Sequence, residues 1–540
     1  MSRVKNTDYD VVFIGAGHNG LVAAWYLLKA GLKVGLYERR AVAGGAAVTE
    51  EFHPGFKNSV AAYTISLLNP KIIKDMKLAF YGLEIVERKM ANFWPQPDGG
   101  VLFRHNDFAD NKAEFARFSA RDAEVYEAYS EMIERAADFL REMILKTPPN
   151  AGGGISALIA AAGLGRRFSV LKIDQQRVIL DLFTKSAKDI LDGWFESDAI
   201  KVALAFDSIV GFYGSPETPG SAYVLLHHAF GEVNGKKGAW GHAIGGMGAI
   251  TQAMAKAVIE AGGEIMLGSP VAEVLVEKAR ATGVRLDSGE TVRARAVASN
   301  LNPKLLLTRF VAAEHLPEGL PERMAGYKCG SGTFRMNVAL SALPNFSCLK
   351  GHDPEKVRKA MTAGIIIGPT MDYLDRAFYH AKRHGWSKKP IIEMLVPSTL
   401  DSTLAPEGAH VASLFCQQFA PVLPDGKSWD EEREHAADHI IDCVEDYAPG
   451  FRASILGRQI LSPLDLENIF GLTGGDIMHG ELSLSQMFSA RPLIGLADYR
   501  MPVKGLYLVG SGAHPGGGVT GAPGHNAARE IVKDFKRHKI

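Results

Sequence analysis

Apolar positions in the first forty residues follow two patterns in turn. Residues 9–14 (YDVVFI) form a short apolar run typical of a buried strand, and a glycine-rich turn follows at 15–20. Apolar residues then recur at helical spacing as far as Gly31, a position where a helix C-terminus favours glycine. A second apolar run, 33–37, ends in Glu38. This order predicts a β-α-β unit with an acidic residue after its second strand.

The same reading predicts elements along the rest of the chain. A helix is expected over 119–146 with Ser119 as its N-cap, and a charged helix over 429–447. Residues 155–170 are apolar but broken by glycines, and we interpret them as a buried helix. The alternative is a mobile rim that contacts a membrane or admits an apolar substrate. Further strands are predicted at 264–267, 271–277, 294–303, 332–340, 365–367, 391–395, 410–419 and 506–509.

Composition narrows the class of protein. The chain has 540 residues, 46% of them hydrophobic and 22% charged, which is typical of a globular protein with more than one domain. The 60 basic and 60 acidic residues balance, so we expect no nucleic-acid partner. The N-terminal residues lack the apolar core of a secretory signal, and no apolar run approaches ~18 residues. The four cysteines form no C-x-x-C pair, so a disulfide reductase or a zinc site is not expected. A cytoplasmic protein without a metal is the expectation.

The turn at 15–20 (GAGHNG) has the spacing of a dinucleotide-binding loop. Gly15 permits a tight turn, Gly17 lets the backbone approach a pyrophosphate, and Gly20 lets helix and strand pack closely. The N–H groups at the helix N-terminus favour an anion. Glu38 can accept hydrogen bonds from ribose hydroxyls, which argues against the 2′-phosphate of NADP and leaves NAD and FAD open.

Two other glycine clusters lead to different predictions about ligand binding. No apolar strand precedes Gly245, Gly246 and Gly248, so a second dinucleotide site for NAD(P)H is not expected there. In contrast, residues 505–529 combine a predicted strand, a dense glycine turn and a helix from about Gly521. This second helix N-terminus would stabilise negative charge on a reduced flavin.

Residues beyond Glu38 carry a family resemblance. Glu38, Arg40, Gly44 and Gly45 have the E-x-R-x-x-x-G-G arrangement of flavoproteins of the amine oxidase and phytoene desaturase type, although Ala46 replaces their usual arginine. The motifs at 15–20, 245–248, 470–492 and 510–529 also resemble those of phytoene desaturase-related flavoproteins.

The resemblance implies a fold, a cofactor and a set of contacts. It implies an α/β fold with a discontinuous Rossmann-type FAD domain (1–75, 235–310 and 481–540) and an inserted α+β substrate domain (76–234 and 311–480). It implies FAD as the cofactor, bound by Gly15, Ala16, Gly17, Gly20, Glu38, Arg40, Gly44, Gly45, Val271, Gly512, Gly518, Val519 and Thr520.

The expected activity follows from the same resemblance. It is desaturation or isomerisation of an apolar substrate, isoprenoid or polyene, by hydride transfer to flavin N5, with oxygen or a quinone as electron acceptor. Aromatic residues at 212–213, 223 and 230 are expected to line the pocket, and 155–170 to allow peripheral membrane contact. His514 and Glu481 are the acid–base candidates, and of His227 and His228 we expect one exposed and one packed.

Two alternatives stay open at this point. An amine or amino-acid oxidase could use the same fold, although no cysteine follows Cys443 for covalent flavin attachment. A non-catalytic flavoprotein acting through a partner is the other.

Overall fold

The computed structural model describes residues 8–96 and 98–540. Its strands are β1 Tyr9–Ile14, β2 Val34–Tyr37, β3 Thr49–His53, β4 Phe56–Ser59, β5 Ile85–Glu87, β6 Asn92–Pro95, β7 Val101–Arg104, β8 Glu232–Val233, β9 Lys236–Lys237, β10 Gly241–Ala243, β11 Glu264–Met266, β12 Val271–Glu277, β13 Arg280–Leu286, β14 Thr291–Ser299, β15 Phe334–Leu340, β16 Gly364–Ile367, β17 Trp386–Leu395, β18 His410–Phe419, β19 Ile455–Leu461 and β20 Leu506–Leu508. Its helices are α1 His18–Lys29, α2 Pro70–Asp75, α3 Phe108–Ala116, α4 Ala120–Ile144, α5 Gly154–Ser169, α6 Ile173–Thr184, α7 Ala187–Asp192, α8 Asp198–Ala205, α9 Ser221–His228, α10 Met247–Glu260, α11 Pro303–Leu305, α12 Leu320–Ala325, α13 Pro354–Ala360, α14 Met371–His384, α15 Trp429–Tyr447, α16 Pro463–Phe470 and α17 Ala522–Lys536.

The first sheet is built around β1. Parallel pairing gives the order β11-β2-β1-β14-β20, and β13 and β12 extend the first half of β14 as an antiparallel meander. Val11, Val12 and Phe13 are fully buried, as expected for a parallel strand covered by helices on both faces. The predicted β-α-β start and the α/β fold are confirmed.

The second sheet has the order β19-β15-β18-β17-β16-β6-β7 and is antiparallel except where β16 meets β6. Every residue of β15 is buried, and α15 packs over one face through Trp429 and Ile440. The predicted strands at 332–340, 365–367, 391–395 and 410–419 are confirmed, whereas β6, β7 and β19 were not predicted. The predicted domain boundaries stay a prediction.

Helices between β7 and β8 show both agreement and disagreement. α4 begins as predicted, because the Ser119 hydroxyl accepts a hydrogen bond from the Asp122 N–H at 3.1 Å. The prediction that 155–170 is a buried helix is wrong. α5 forms there, but none of its residues is buried, and Ile155 is 77% exposed.

Among the described residues, no single helix is long and apolar enough to span a bilayer. By length and composition, only α5 and α6 together would pass that test, as a pair bent by 118°.

Candidate cofactor and active site

A long cleft opens at the carboxyl ends of β1 and β14, where the direction of strand succession in the first sheet reverses. Gly15 follows β1 with a φ of +88°, and its N–H bonds to the Tyr37 carbonyl at 2.8 Å. Asn300 follows β14 and faces the same cleft. In open α/β sheets, ligands bind at this switch point.

The glycines of the first turn have no side chains, which leaves room for a ligand to contact the protein backbone. A Cβ added to Gly17 would lie 2.3 Å from the Asn300 Nδ2 atom. A Cβ on Gly20 would lie 2.9 Å from the Gly15 carbonyl oxygen, so Gly20 serves helix–strand packing. The Gly44 N–H bonds to the Ala16 carbonyl at 2.9 Å, and Gly45, with a φ of +60°, lies against Gly17. The two predicted glycine motifs therefore form one cradle.

The first turn of α1 faces this cradle with free N–H groups. Gly17 is the N-cap, no side chain in the described part of the chain caps the helix, and no acidic residue lies in its first turn. The His18 Nε2 and Asn19 Oδ1 atoms are buried and have no hydrogen-bond partner among the described residues. Burial lowers the pKa of His18 to about 4, so its imidazole is neutral at pH 7. An anionic ligand with further polar groups fits this arrangement.

Glu38 and Arg40 stand together at one end of the cleft. The Glu38 carboxylate accepts N–H bonds from Ala16 at 2.9 Å and from Arg40 at 3.0 Å, which fixes its orientation. Each carboxylate oxygen keeps a lone pair for a ribose hydroxyl. The Arg40 side chain pairs with Glu50 and lies 4.8 Å from the Phe470 ring, while its buried Nη1 has no partner among the described residues.

The predicted cofactor residues therefore divide into two groups. Those that line the cleft are Gly15, Gly17, Glu38, Arg40, Gly45, Val271, Gly518 and Val519. Those that support it from behind are Ala16, Gly20, Gly44, Gly512 and Thr520. For example, the Thr520 hydroxyl accepts the Ala522 N–H at 3.1 Å at the start of α17. The cleft presents an acid, a helix N-terminus and a second glycine turn. These features match the ribose, the pyrophosphate and the flavin of FAD in that order.

The other end of the cleft faces the second sheet. Its walls are mostly apolar and include Val210, Trp240, Ile477 and Met478. The Tyr63 ring stacks on Phe415 of β18 with ring centroids 5.1 Å apart. We call this end, together with Thr64 and His228, the inner chamber.

Charged groups are buried behind the inner chamber. The Tyr63 hydroxyl donates to Glu393, and the Arg88 guanidinium lies 3.9 Å from Glu393 and donates to Thr64 at 2.6 Å. Arg335 lies 4.6 Å from the Tyr63 ring centroid. Burial raises the pKa of Glu393 and lowers that of Arg335 to about 10, which still leaves Arg335 charged at pH 7. The charge of Asp207 also acts on Arg88 and Glu393, so two guanidinium groups and two carboxyl groups interact in this region.

His228 is the histidine of α9 that faces the chamber. Its Nδ1 atom lies 2.9 Å from the Val224 carbonyl oxygen, which can only accept, so Nδ1 carries the hydrogen and Nε2 of the neutral ring keeps a lone pair. The ring stacks on Trp240 with a 6.3 Å centroid separation. The prediction of one exposed histidine is wrong, because α9 is enclosed on all sides and buries both His227 and His228.

The two predicted acid–base residues lie elsewhere. His514 Nε2 is 3.1 Å from the Met143 carbonyl oxygen, and its ring lines a separate apolar cavity. Glu481 lies 3.5 Å from the exposed Lys328 ammonium group and is absent from the cleft wall. Position therefore gives no support to a catalytic role for either one. Tyr63, Glu393 and His228 were missed, because distant elements bring them together and no local motif marks them.

Comparisons with known proteins agree with this geometry. The sequence profile described as flavin containing amine oxidoreductase matches residues 20–333. Pyridine nucleotide-disulfide oxidoreductase domain-containing protein 2 of Rattus norvegicus is 41% identical over 98% of this chain and 94% of its own length. A limonene dehydrogenase chain of Castellaniella defragrans is 26% identical over 99% of this chain and 96% of its own.

A solved structure shows the same fold. Wild-type putrescine oxidase bound to putrescine superposes with a TM-score of 0.57 at 15% identity, covering 98% of this chain and 99% of its own. These matches confirm the predicted flavoprotein fold, FAD as cofactor and an oxidoreductase activity.

Proposed function

The chain belongs to the flavin containing amine oxidoreductase family, and we propose that it is an FAD-dependent dehydrogenase of an elongated, largely apolar substrate. The observation that supports this substrate class most is the lining of the inner chamber. Val210, Ile477, Met478 and Trp240 offer hydrocarbon and aromatic contacts. A substrate that binds there gains mainly by removal of apolar surface from water.

Charge in the chamber argues against a cationic amine. Of the described residues that line the cleft, Glu38 alone carries a carboxylate, and it lies at the opposite end. Glu393 is engaged by Tyr63 and Arg88, and Arg335 adds a second buried positive charge. A protonated amine would therefore meet no free counter-ion on the described wall of the chamber.

FAD, when bound, supplies a hydride acceptor at flavin N5. The residues that would hold it are the cradle glycines, Glu38 and Arg40, with the N-termini of α1 and α17 beside its charged groups. The unpartnered Arg40 Nη1 and Asn19 Oδ1 atoms fit such a polar ligand.

Desaturation also requires that the substrate lose a proton. We assign this proton to the Nε2 lone pair of His228, because the Val224 carbonyl fixes the ring with that atom available. Trp240 and Tyr63 would offer aromatic surface to the substrate, and the apolar walls would keep water away. One hydride and one proton thus leave neighbouring carbons, and a C=C bond forms.

A relative supports an apolar substrate without defining it. The limonene dehydrogenase chain carries limonene, a hydrocarbon, in its name and aligns over nearly the whole of this chain.

Oxygen or a quinone stays our proposed acceptor for the electrons. We also propose a cytoplasmic location with peripheral membrane contact through residues 155–170, since Ile155, Leu158 and Ile159 are exposed beside Arg166 and Arg167.

The second candidate is an amine oxidase, which the description of the family and the fold shared with putrescine oxidase both favour. Anaerobic mixing of the flavoprotein with separate panels of hydrocarbons and amines, followed at the flavin absorbance band near 450 nm, distinguishes the two. Bleaching by terpenes or longer polyenes supports the proposal, and bleaching by small amines alone overturns it.

A further inference from the structure

A second cavity, with a volume of about 440 Å³, lies between α4, α5, α6 and α9. Its walls include Phe139 and Met143 of α4, Leu164 and Phe168 of α5, Phe183 of α6 and Tyr223 of α9. Of the described residues that line it, only Tyr223 and His514 have polar side-chain atoms, and His514 already bonds to the Met143 carbonyl through Nε2. The cavity offers almost nothing to a polar ligand.

α5 has apolar residues on two separate faces. Ala161, Leu164, Gly165 and Phe168, at helical spacing, line the cavity. Ile155 and Ile159, one turn apart, lie outside that stripe and are 77% and 67% exposed. Since no residue of α5 is buried, its inner face has no protein core to pack against, and the cavity takes the place of that core.

Only a thin wall separates this cavity from the inner chamber. The ring of His227 lies between them, with centroids 6.4 Å from Tyr223 and 5.6 Å from Phe230 on the cavity side, and 5.5 Å from His228 on the chamber side. The glycine turn also joins them, because Pro515 lines the cavity and Gly518 lines the cleft.

We infer that this cavity binds an elongated apolar molecule of the substrate's class, next to the inner chamber in which such a molecule reacts. The inference rests on the proposed function. A cavity of roughly 150 Å³ with apolar walls holds a benzene molecule, so this one has room for a chain of several such units. Its position beneath α5 gives that chain an entrance at the apolar surface of the protein, away from the cofactor end at Glu38.

The experiment uses diphenylhexatriene, a rod-shaped hydrocarbon that fluoresces strongly only in apolar surroundings. It is titrated into the FAD-loaded protein without membranes, and energy transfer from the probe to the flavin reports that the two are close. Leu164→Arg places a charge in the cavity, and Ala161→Trp fills it. Ile159→Arg is the matched control, because it places the same charge on the outer face of the same helix.

We expect the dissociation constant of the probe to rise at least tenfold in Leu164→Arg and Ala161→Trp, and to change less than twofold in Ile159→Arg. Circular dichroism and flavin content should stay unchanged, since α5 has no buried residue. Wild-type affinity in both cavity variants, or an equal loss in Ile159→Arg, overturns the inference. Probe binding requires no turnover, so binding in the cavity without flavin reduction by any apolar compound would count against the proposed function and not against this site.

Discussion

Replacing Gly17 by valine tests the cofactor cradle most sharply. Gly17 has a φ of −70° and a ψ of 168°, which any residue adopts, so the substitution introduces no backbone strain. A Cβ there would approach the Asn300 Nδ2 atom to 2.3 Å, but that atom is the end of a side chain that can move. We therefore expect a folded protein that has lost about 1 kcal/mol or less of its free energy of unfolding.

The effect on FAD should be much larger. The valine methyl groups would occupy the space in which a pyrophosphate meets the free N–H groups at the start of α1. A hydrogen bond to a charged group contributes about 1.5–3 kcal/mol. Loss of two such bonds costs about 3–6 kcal/mol, which weakens FAD binding by about two to four powers of ten.

The assay compares flavin content after purification with the dissociation constant measured by reconstitution of the apoprotein. Gly163→Val is the control, because a Cβ at this glycine of α5 meets nothing within 4 Å and lies far from the cradle in the fold. Thermal melting of both apoproteins confirms folding. A folded Gly17→Val protein that retains stoichiometric FAD would refute the assignment of this turn.

Three further predictions concern flavin attachment, nucleotide reduction and pH. Acid precipitation should release the yellow chromophore into the supernatant, because no cysteine follows Cys443, and a yellow pellet would speak against non-covalent FAD. Neither NADH nor NADPH should bleach the flavin rapidly under anaerobic conditions, since α10 is preceded by β10, which pairs antiparallel with β5 outside the parallel sheet, and not by a Rossmann strand. Burial lowers the pKa of His227 to about 3 from an ordinary value of 6.5, so the unfolded chain binds its proton first and the folded state loses stability as pH falls below about 6.5. His227→Phe should reduce the fall in melting temperature of the apoprotein between pH 7 and pH 5, and an unchanged slope would contradict this assignment.

Local sequence was sufficient for the cofactor end of the site. Residues 9–38 carry strand, turn, helix and acid in a contiguous order, and each step has its own local signal in glycine placement or apolar spacing. The structure brings Gly45 against Gly17, a contact that the sequence did not indicate.

The inner chamber could not be predicted in the same way. Tyr63 and Glu393 are 330 residues apart, and they meet only because the second sheet packs over the cleft. His514 was chosen because it lies in the glycine turn, but the turn directs its side chain toward α4. For α5, apolar composition indicated burial, whereas its position over a cavity leaves it exposed, and composition alone carries no information about what a helix packs against.

The central claim is that the inner chamber dehydrogenates an apolar substrate with His228 as the proton acceptor. The most direct measurement is anaerobic stopped-flow reduction of the bound flavin by a hydrocarbon substrate in the wild-type protein and in His228→Gln. We predict that the rate falls by about 10²–10⁴-fold in His228→Gln, while flavin content stays the same. A flavin that only small amines reduce, or a His228→Gln protein with the wild-type rate, would contradict the claim.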